Sequence, residues 1–282
     1  MTVSNSGQGK QKSFVPAILI GISLLYLALV LYIPAANVFV QAFKKGVGPF
    51  FSNLTEPNFI TAATLTIVLA LIAVPLNTVF GLFAAWALTR NTRFRGRAFI
   101  LSILDLPFSI SPVVAGLMIV LMYGRNGWFG PLLEQYDLKI IFAFPGMLLA
   151  SAFVSMPFVA REVIPVLEEL GKDQEEAART LGARGFQIFW RVTLPSIRWG
   201  LLYGVLLTNA RVMGEFGAVS VVSGNIAGDT QTLPLFIEDA YKQYQTEAAF
   251  SAAAILALLA LVTLVLKEIL EKKTGTSKKG VH

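Results

Sequence analysis

The 282-residue sequence contains no cysteine and a single histidine, His282, at its last position. Disulfides and thiol chemistry are therefore excluded, and a lone histidine without clustered carboxylates does not make a zinc-type site. Charge is also sparse, with Asp, Glu, Lys and Arg together filling 14% of positions. The phosphate-cradling pattern GxxxxGK[ST] is missing, so the chain has no loop of its own for hydrolysing ATP. No internal period marks a repeat array, and no inverted pair of interrupted helices marks a secondary transporter.

What the sequence has is apolar length. Hydrophobic residues reach 55% and the mean hydropathy is +0.66, too apolar for a soluble domain. Runs poor in charge cover 15–40, 60–88, 98–123, 140–160, 199–222 and 248–266. Each holds roughly 19 residues or more, which at about 1.5 Å per residue crosses a hydrocarbon layer about 30 Å thick. The short alternating segments of a membrane barrel are not found. The first run is longer than a signal-peptide core and lacks a small-residue cleavage site, so it is expected to remain as a helix. The expected fold class is all-α, a polytopic membrane protein with six transmembrane helices.

Lys and Arg in short flanking loops favour the cytoplasmic side, and six crossings sort the 23 cations unequally. Lys44, Lys45, Arg125, Lys139 and Lys242 fall on one side, Arg211 lies within a span, and all the others fall on the opposite side. Both termini and the loop at 161–198 are thus expected in the cytoplasm. Polar tails at 1–13 and 273–282 flank a membrane domain at 14–272. The net charge of +6 is explained by this topology and by contact with anionic membrane lipid, with no need for nucleic acid.

The loop is more ordered than a connector needs to be. Leu167, Leu170, Ala177, Ala178 and Leu181 recur on one side of a helix, and Gly182 follows the last of them, where a helix commonly stops at positive φ. Phe186, Phe189 and Trp190 restart helical spacing, and Pro195 suits the opening of the next span. The pattern reads as helix, sharp turn, helix. One reading rests this hairpin on lipid headgroups with its aromatics as anchors. The other buries the aromatics in a groove on another protein, which better explains their exposure at a bend.

Glu176, Ala177 and Ala178 are followed by Gly182 and, after nine residues, by Val192, Leu194 and Pro195. This spacing resembles the EAA loop of the membrane-spanning subunits of bacterial ABC importers, with Val192 where isoleucine is usual. The resemblance implies that the loop docks on a separate nucleotide-binding ATPase. Ala177 and Ala178 would allow close approach, Gly182 would make the turn and Glu176 would offer a polar contact.

Several polar residues fall inside the apolar runs. Arg211 stands near the middle of the fifth, with Asn209, Glu215 and Ser220 around it. An arginine at the centre of a span costs about 2.5–3.5 kcal/mol on insertion scales, so it is expected to face protein or water. Glu215 is at i+4, within ion-pairing reach; a neutral clamp and a role in anion passage are both open. Asp105 stands in LDLPFSISP, where Pro107 and Pro112 weaken the third helix and Ser109 and Ser111 are placed to satisfy freed carbonyls. Pro75 in the second run invites the same explanation.

The stretch ARVMGEFGAVSVVSG at 210–224, with GDTQTLPLF following from Gly228, resembles the W-type permease subunits of sulfate and thiosulfate importers and, less closely, molybdate permeases. That resemblance covers all six runs and implies the type I ABC importer permease fold in a bacterial inner membrane. It further implies a paralogous permease subunit, two copies of a cytoplasmic ATPase that alone binds ATP and magnesium, and a periplasmic sulfate-binding protein. The cargo would be sulfate or thiosulfate, with molybdate or tungstate as the alternative. Thr232 to Tyr244 is expected to form a short interfacial helix near the surface that receives the binding protein. Two rivals come from other classes: an intramembrane hydrolase using Glu215 and Asp105, and a gradient-driven secondary transporter.

Overall fold

The computed structural model describes residues 15–91 and 95–273. The tail at 1–13, the tail beyond Lys273 with His282, and the loop cation Arg93 lie outside the described residues. Within them the chain is all-α.

The first run is α1 (Val15–Leu27), a π-helical turn (Ala28–Tyr32) and α2 (Ile33–Ala42). After α3 (Val47–Leu54) comes α4 (Pro57–Arg90), 34 residues that continue unbroken through Pro75. Next, α5 (Arg97–Ser109) and α6 (Pro112–Tyr123) meet at 110°. A short α7 (Gly130–Gln135) precedes α8 (Phe144–Ser155) and α9 (Pro157–Leu170), which together form one span. The hairpin follows as α10 (Asp173–Thr180) and α11 (Gly185–Ile188), then a second π-helical turn (Phe189–Thr193) that runs into α12 (Leu194–Met213). The chain ends with α13 (Gly217–Ser223), α14 (Leu233–Lys242) and α15 (Thr246–Lys273).

Among the described residues, four helices are individually long and apolar enough to cross a membrane, and six result only if each of two bent pairs is one span. The runs at 98–123 and 199–222 are therefore not the straight helices expected from their hydropathy. In the first, Pro112 holds Ser111 in an extended conformation with ψ at 137°, Ile110 before it is extended as well, and the helix ends at Ser109. Neither Ser109 nor Ser111 is seen to donate to a carbonyl freed by Pro107, which stays inside α5. In the second, Gly214 and Gly217 flank a non-helical step, and α13 leaves α12 at 50°.

Pro195 also departs from expectation. Helix runs continuously from Gly185 to Met213, so the proline opens nothing. Proline lacks an amide proton and its ring crowds the carbonyl four residues back; a wider π turn immediately upstream relieves that crowding. The same arrangement recurs at Pro34, and each proline stands two residues beyond its π turn.

Between helices in a bilayer, close packing replaces hydrophobic transfer as the main attraction. Here it centres on Val159 of α9. A Cβ on Gly81 of α4 would lie 2.7 Å from the Val159 Cβ, and one on Gly204 of α12 would lie 2.9 Å from its Cα. Ala85, Val163, Leu167 and Ile197 extend this contact, all fully buried. Gly204→Leu must separate α9 from α12, an overpacking cost of about 1–3 kcal/mol. We expect a clear drop in the thermal midpoint of the detergent-purified chain; a midpoint equal to wild type would show slack at this contact.

A second core joins Leu69, Met147, Ala150 and Ile119 to Ala218, Val219 and Val222 of α13. A third, at the end of the molecule away from the hairpin, holds Phe59 and Ala62 against Leu233, Phe236 and Ala240 of α14. The helix expected at 232–244 therefore exists, but one face is packed into the protein, leaving Tyr241 and Tyr244 exposed.

Candidate functional site: an anchored hairpin and a broken span

The hairpin turn has a complete local explanation. Gly182 has φ of +85°. Its N–H donates to Arg179 O at 2.9 Å, and the Ala183 N–H donates to Ala178 O at 3.0 Å. These two bonds define the Schellman ending of α10, with Gly182 at the left-handed position. On the far side, Gln187 Oε1 accepts from the Arg184 N–H at 2.9 Å and starts α11. Leu181, at 88% exposure, and Phe186, at 75%, stand outside the fold, as does Trp190. Trp190 packs edge-on against Phe186 and Phe189.

The sequence reading misplaced the packed face. Gly171, at φ +63°, breaks the helix between Leu170 and α10, so the stripe from Leu167 to Leu181 is not one surface. Ala177 and Leu181 are exposed and Ala178 is half-buried; Glu176 is exposed as well. Val192 and Leu194 are half-buried, and Pro195 is exposed.

The residue that anchors the hairpin is Glu175. Its Oε1 and Oε2 accept from Arg90 Nε at 3.0 and 2.9 Å, and Oε1 accepts from Arg90 Nη2 at 2.8 Å. Oε1 also accepts from the Thr193 hydroxyl at 2.8 Å. Arg90 Nη1 donates to Leu167 O at 3.2 Å, and Lys172 Nζ donates to Arg90 O at 2.9 Å. Both side chains of the pair are nearly buried, at 13% and 11% exposure. Arg97 joins α4 and α9 nearby, donating to Leu88 O and pairing with Glu168. Arg90 and Arg97, read from sequence as topology signals and lipid contacts, are thus structural ion-pair partners. Sequence spacing gave no sign of the Arg90–Glu175 contact, which spans 85 positions.

The second element is the break between α12 and α13. Arg211 lies in the last turn of α12, and Glu215 follows the helix end. Their side chains pair at 2.9 Å, with Arg211 32% exposed and Glu215 only 1%. Glu215 Oε1 also accepts from the Ala218 N–H at 2.9 Å, capping the start of α13. Glu215 therefore holds the arginine and the helix restart together. Asn209 contacts the sulfur of Met213, and Ser220 bonds to Gly217 O, so neither is drawn to the ion pair. The break in one bent pair touches the break in the other: a Cβ on Gly217 would lie 3.0 Å from Pro112, the first residue of α6.

Asp105 is elsewhere. It pairs with Arg161 at 2.9 Å on a half-exposed surface, where the guanidinium also lies 4.4 Å from the centre of the Phe108 ring. Asp105 and Glu215 each pair with a different arginine, so the structure does not bring together the two carboxyl groups that the hydrolase reading needs. No group of three metal-ligating side chains occurs among the described residues. Two cavities of about 610 and 600 Å³ lie away from the hairpin, and neither is lined by Arg211 or Glu215.

Residues 77–276 match the family described as binding-protein-dependent transport system inner membrane component. The chain is 69% identical over 261 residues to the sulfate transport system permease protein CysW of Synechocystis, covering 93% of this chain and 94% of that protein. It is 38% identical over 256 residues to the permease protein CysT of the sulfate transport system of Escherichia coli K12, covering 91% of this chain and 92% of that one. A chain from the crystal structure of a bacterial alginate ABC transporter, complexed with an alginate pentasaccharide-bound periplasmic protein, superposes with a TM-score of 0.78 at 17% identity. That match covers 95% of this chain and 96% of the other, and establishes the shared fold.

Proposed function

The chain belongs to the family of binding-protein-dependent transport system inner membrane components, and on that premise we propose that it is a permease subunit of an ATP-driven sulfate importer. It is a transport subunit rather than an enzyme. The sulfate assignment is supported by 69% identity to a CysW protein along nearly the whole of both chains. The 38% identity to CysT supports pairing with a paralogous permease subunit, so that this chain forms half of a pore.

In this reading the hairpin faces the cytoplasm with both termini, as the distribution of Lys and Arg favours. Leu181, Phe186 and Trp190 enter a groove on the ATPase, while Gly182 shapes the turn. Glu176, Ala177, Ala178, Val192, Leu194 and Pro195 form the remainder of the coupling loop. ATP and magnesium bind the two ATPase copies, and a periplasmic sulfate-binding protein delivers the anion to the opposite end. Arg211 and Glu215, with Asn209 and Ser220 nearby, stand where the two bent pairs meet. An arginine held by one buried carboxylate can exchange part of that contact for a passing dianion as the helices shift.

Reconstitution of the chain with a CysT-type subunit, the ATPase and the binding protein tests this. We expect sulfate accumulation in proteoliposomes that requires ATP and every component. Gradient-driven flux without the ATPase would favour a secondary transporter, and uptake of molybdate in preference to sulfate would transfer the assignment to that oxyanion.

A further inference from the structure

The hairpin is joined to the transmembrane helices by a buried polar junction that lies outside the EAA spacing. Glu175 takes three contacts from the Arg90 guanidinium and one from Thr193. The same arginine binds Leu167 O at the end of α9 and receives Lys172 on its own carbonyl. Four pieces of chain thus meet on this ion pair: the end of α4 and the end of α9 through Arg90, the start of α10 through Glu175, and the π turn ahead of α12 through the Thr193 bond to Glu175.

Apolar contact ties α11 to the protein through the buried Ile188, whereas Ala177 and Leu181 are exposed and Glu175 is the buried residue of α10. The space around the pair is nearly filled, with about 10 Å³ left beside Arg90 and Glu175. A two-pronged guanidinium–carboxylate contact fixes both distance and angle, which a compact ammonium does not. A push on the exposed aromatics reaches Glu175 through α10 and Thr193 through the π turn. Both routes end on Arg90, the last residue of the 34-residue α4.

We propose that Arg90 and Glu175 are positioning residues that convert displacement of the hairpin into movement of α4, and thereby set how much transport each ATP hydrolysis produces. This rests on the importer reading. The Arg90 guanidinium is taken up by Glu175 and Leu167 O, and it acts through α4 and the Val159 contact at Gly81.

The test uses the full reconstituted complex with Arg90→Lys and, separately, Thr193→Val. Assembly and ATPase rate should remain within about twofold of wild type, while sulfate moved per ATP falls at least fivefold in Arg90→Lys and about twofold in Thr193→Val. An unchanged ratio in either assembled variant overturns the proposal, as does a parallel loss of both activities with loss of assembled complex in Thr193→Val. If Arg90→Lys does not assemble, Thr193→Val decides alone. A sulfate-independent readout separates this from failure of the functional reading. Spin labels at Arg179 and Phe83 should keep one narrow distance distribution through the nucleotide cycle in wild type and broaden in Thr193→Val. A broad wild-type distribution overturns the link whatever the cargo is.

Discussion

Gly182→Val is expected to lower ATPase co-purification and sulfate uptake together by roughly tenfold. The position is open, with no atom within 4 Å of an added Cβ, so crowding is not the cause. The cause is the backbone: φ of +85° closes α10 through the Ala183-to-Ala178 and Gly182-to-Arg179 bonds. A left-handed conformation costs an ordinary L-residue about 1–2 kcal/mol, and a β-branched one at least that. Since 1.4 kcal/mol is a factor of about ten in an equilibrium, the hairpin shape that docks would be depopulated about 5- to 30-fold. Asparagine tolerates this conformation, so Gly182→Asn should stay near wild type and Gly182→Ala should fall between. Equal co-purification of the ATPase with all three variants would show that the turn is dispensable.

Arg211→Ala is the second large effect. It leaves a 1%-exposed carboxylate without its counter-charge, and breaking such a pair costs about 3–5 kcal/mol. The lower end applies, because Arg211 itself is a third exposed and the Ala218 N–H still binds Oε1. The single variant should accumulate poorly and unfold at lower temperature. Arg211→Ala with Glu215→Gln removes the stranded charge and keeps an acceptor for Ala218, so the thermal midpoint should recover. Sulfate uptake by this double variant should nonetheless stay at least tenfold below wild type. Full recovery of uptake would make Arg211 a clamp only and take it out of the pathway.

Which parts of this structure were legible follows from how far each depends on distant contacts. The apolar runs placed the helices because bilayer length is a local property of composition. Gly182 was legible because a helix end and a left-handed glycine are written within five residues. The pairing of Arg211 with Glu215 followed from i+4 spacing, although the helix that spacing presumed ends at Met213. Glu175 was not legible: beside the motif residue Glu176 it looks equivalent, and only Arg90, arriving from another helix, makes it the buried one. The 110° angle at Ile110 was missed because two prolines five residues apart specify weakness in a helix, not the direction taken after it.

The wedge of Val159 between Gly81 and Gly204 bears on how a pore of this design can open. Helices that mesh at one backbone contact resist sliding past one another, which favours movement of α4, α9 and α12 together. A change in the angle between α5 and α6 would leave that contact untouched, since neither helix contributes to it.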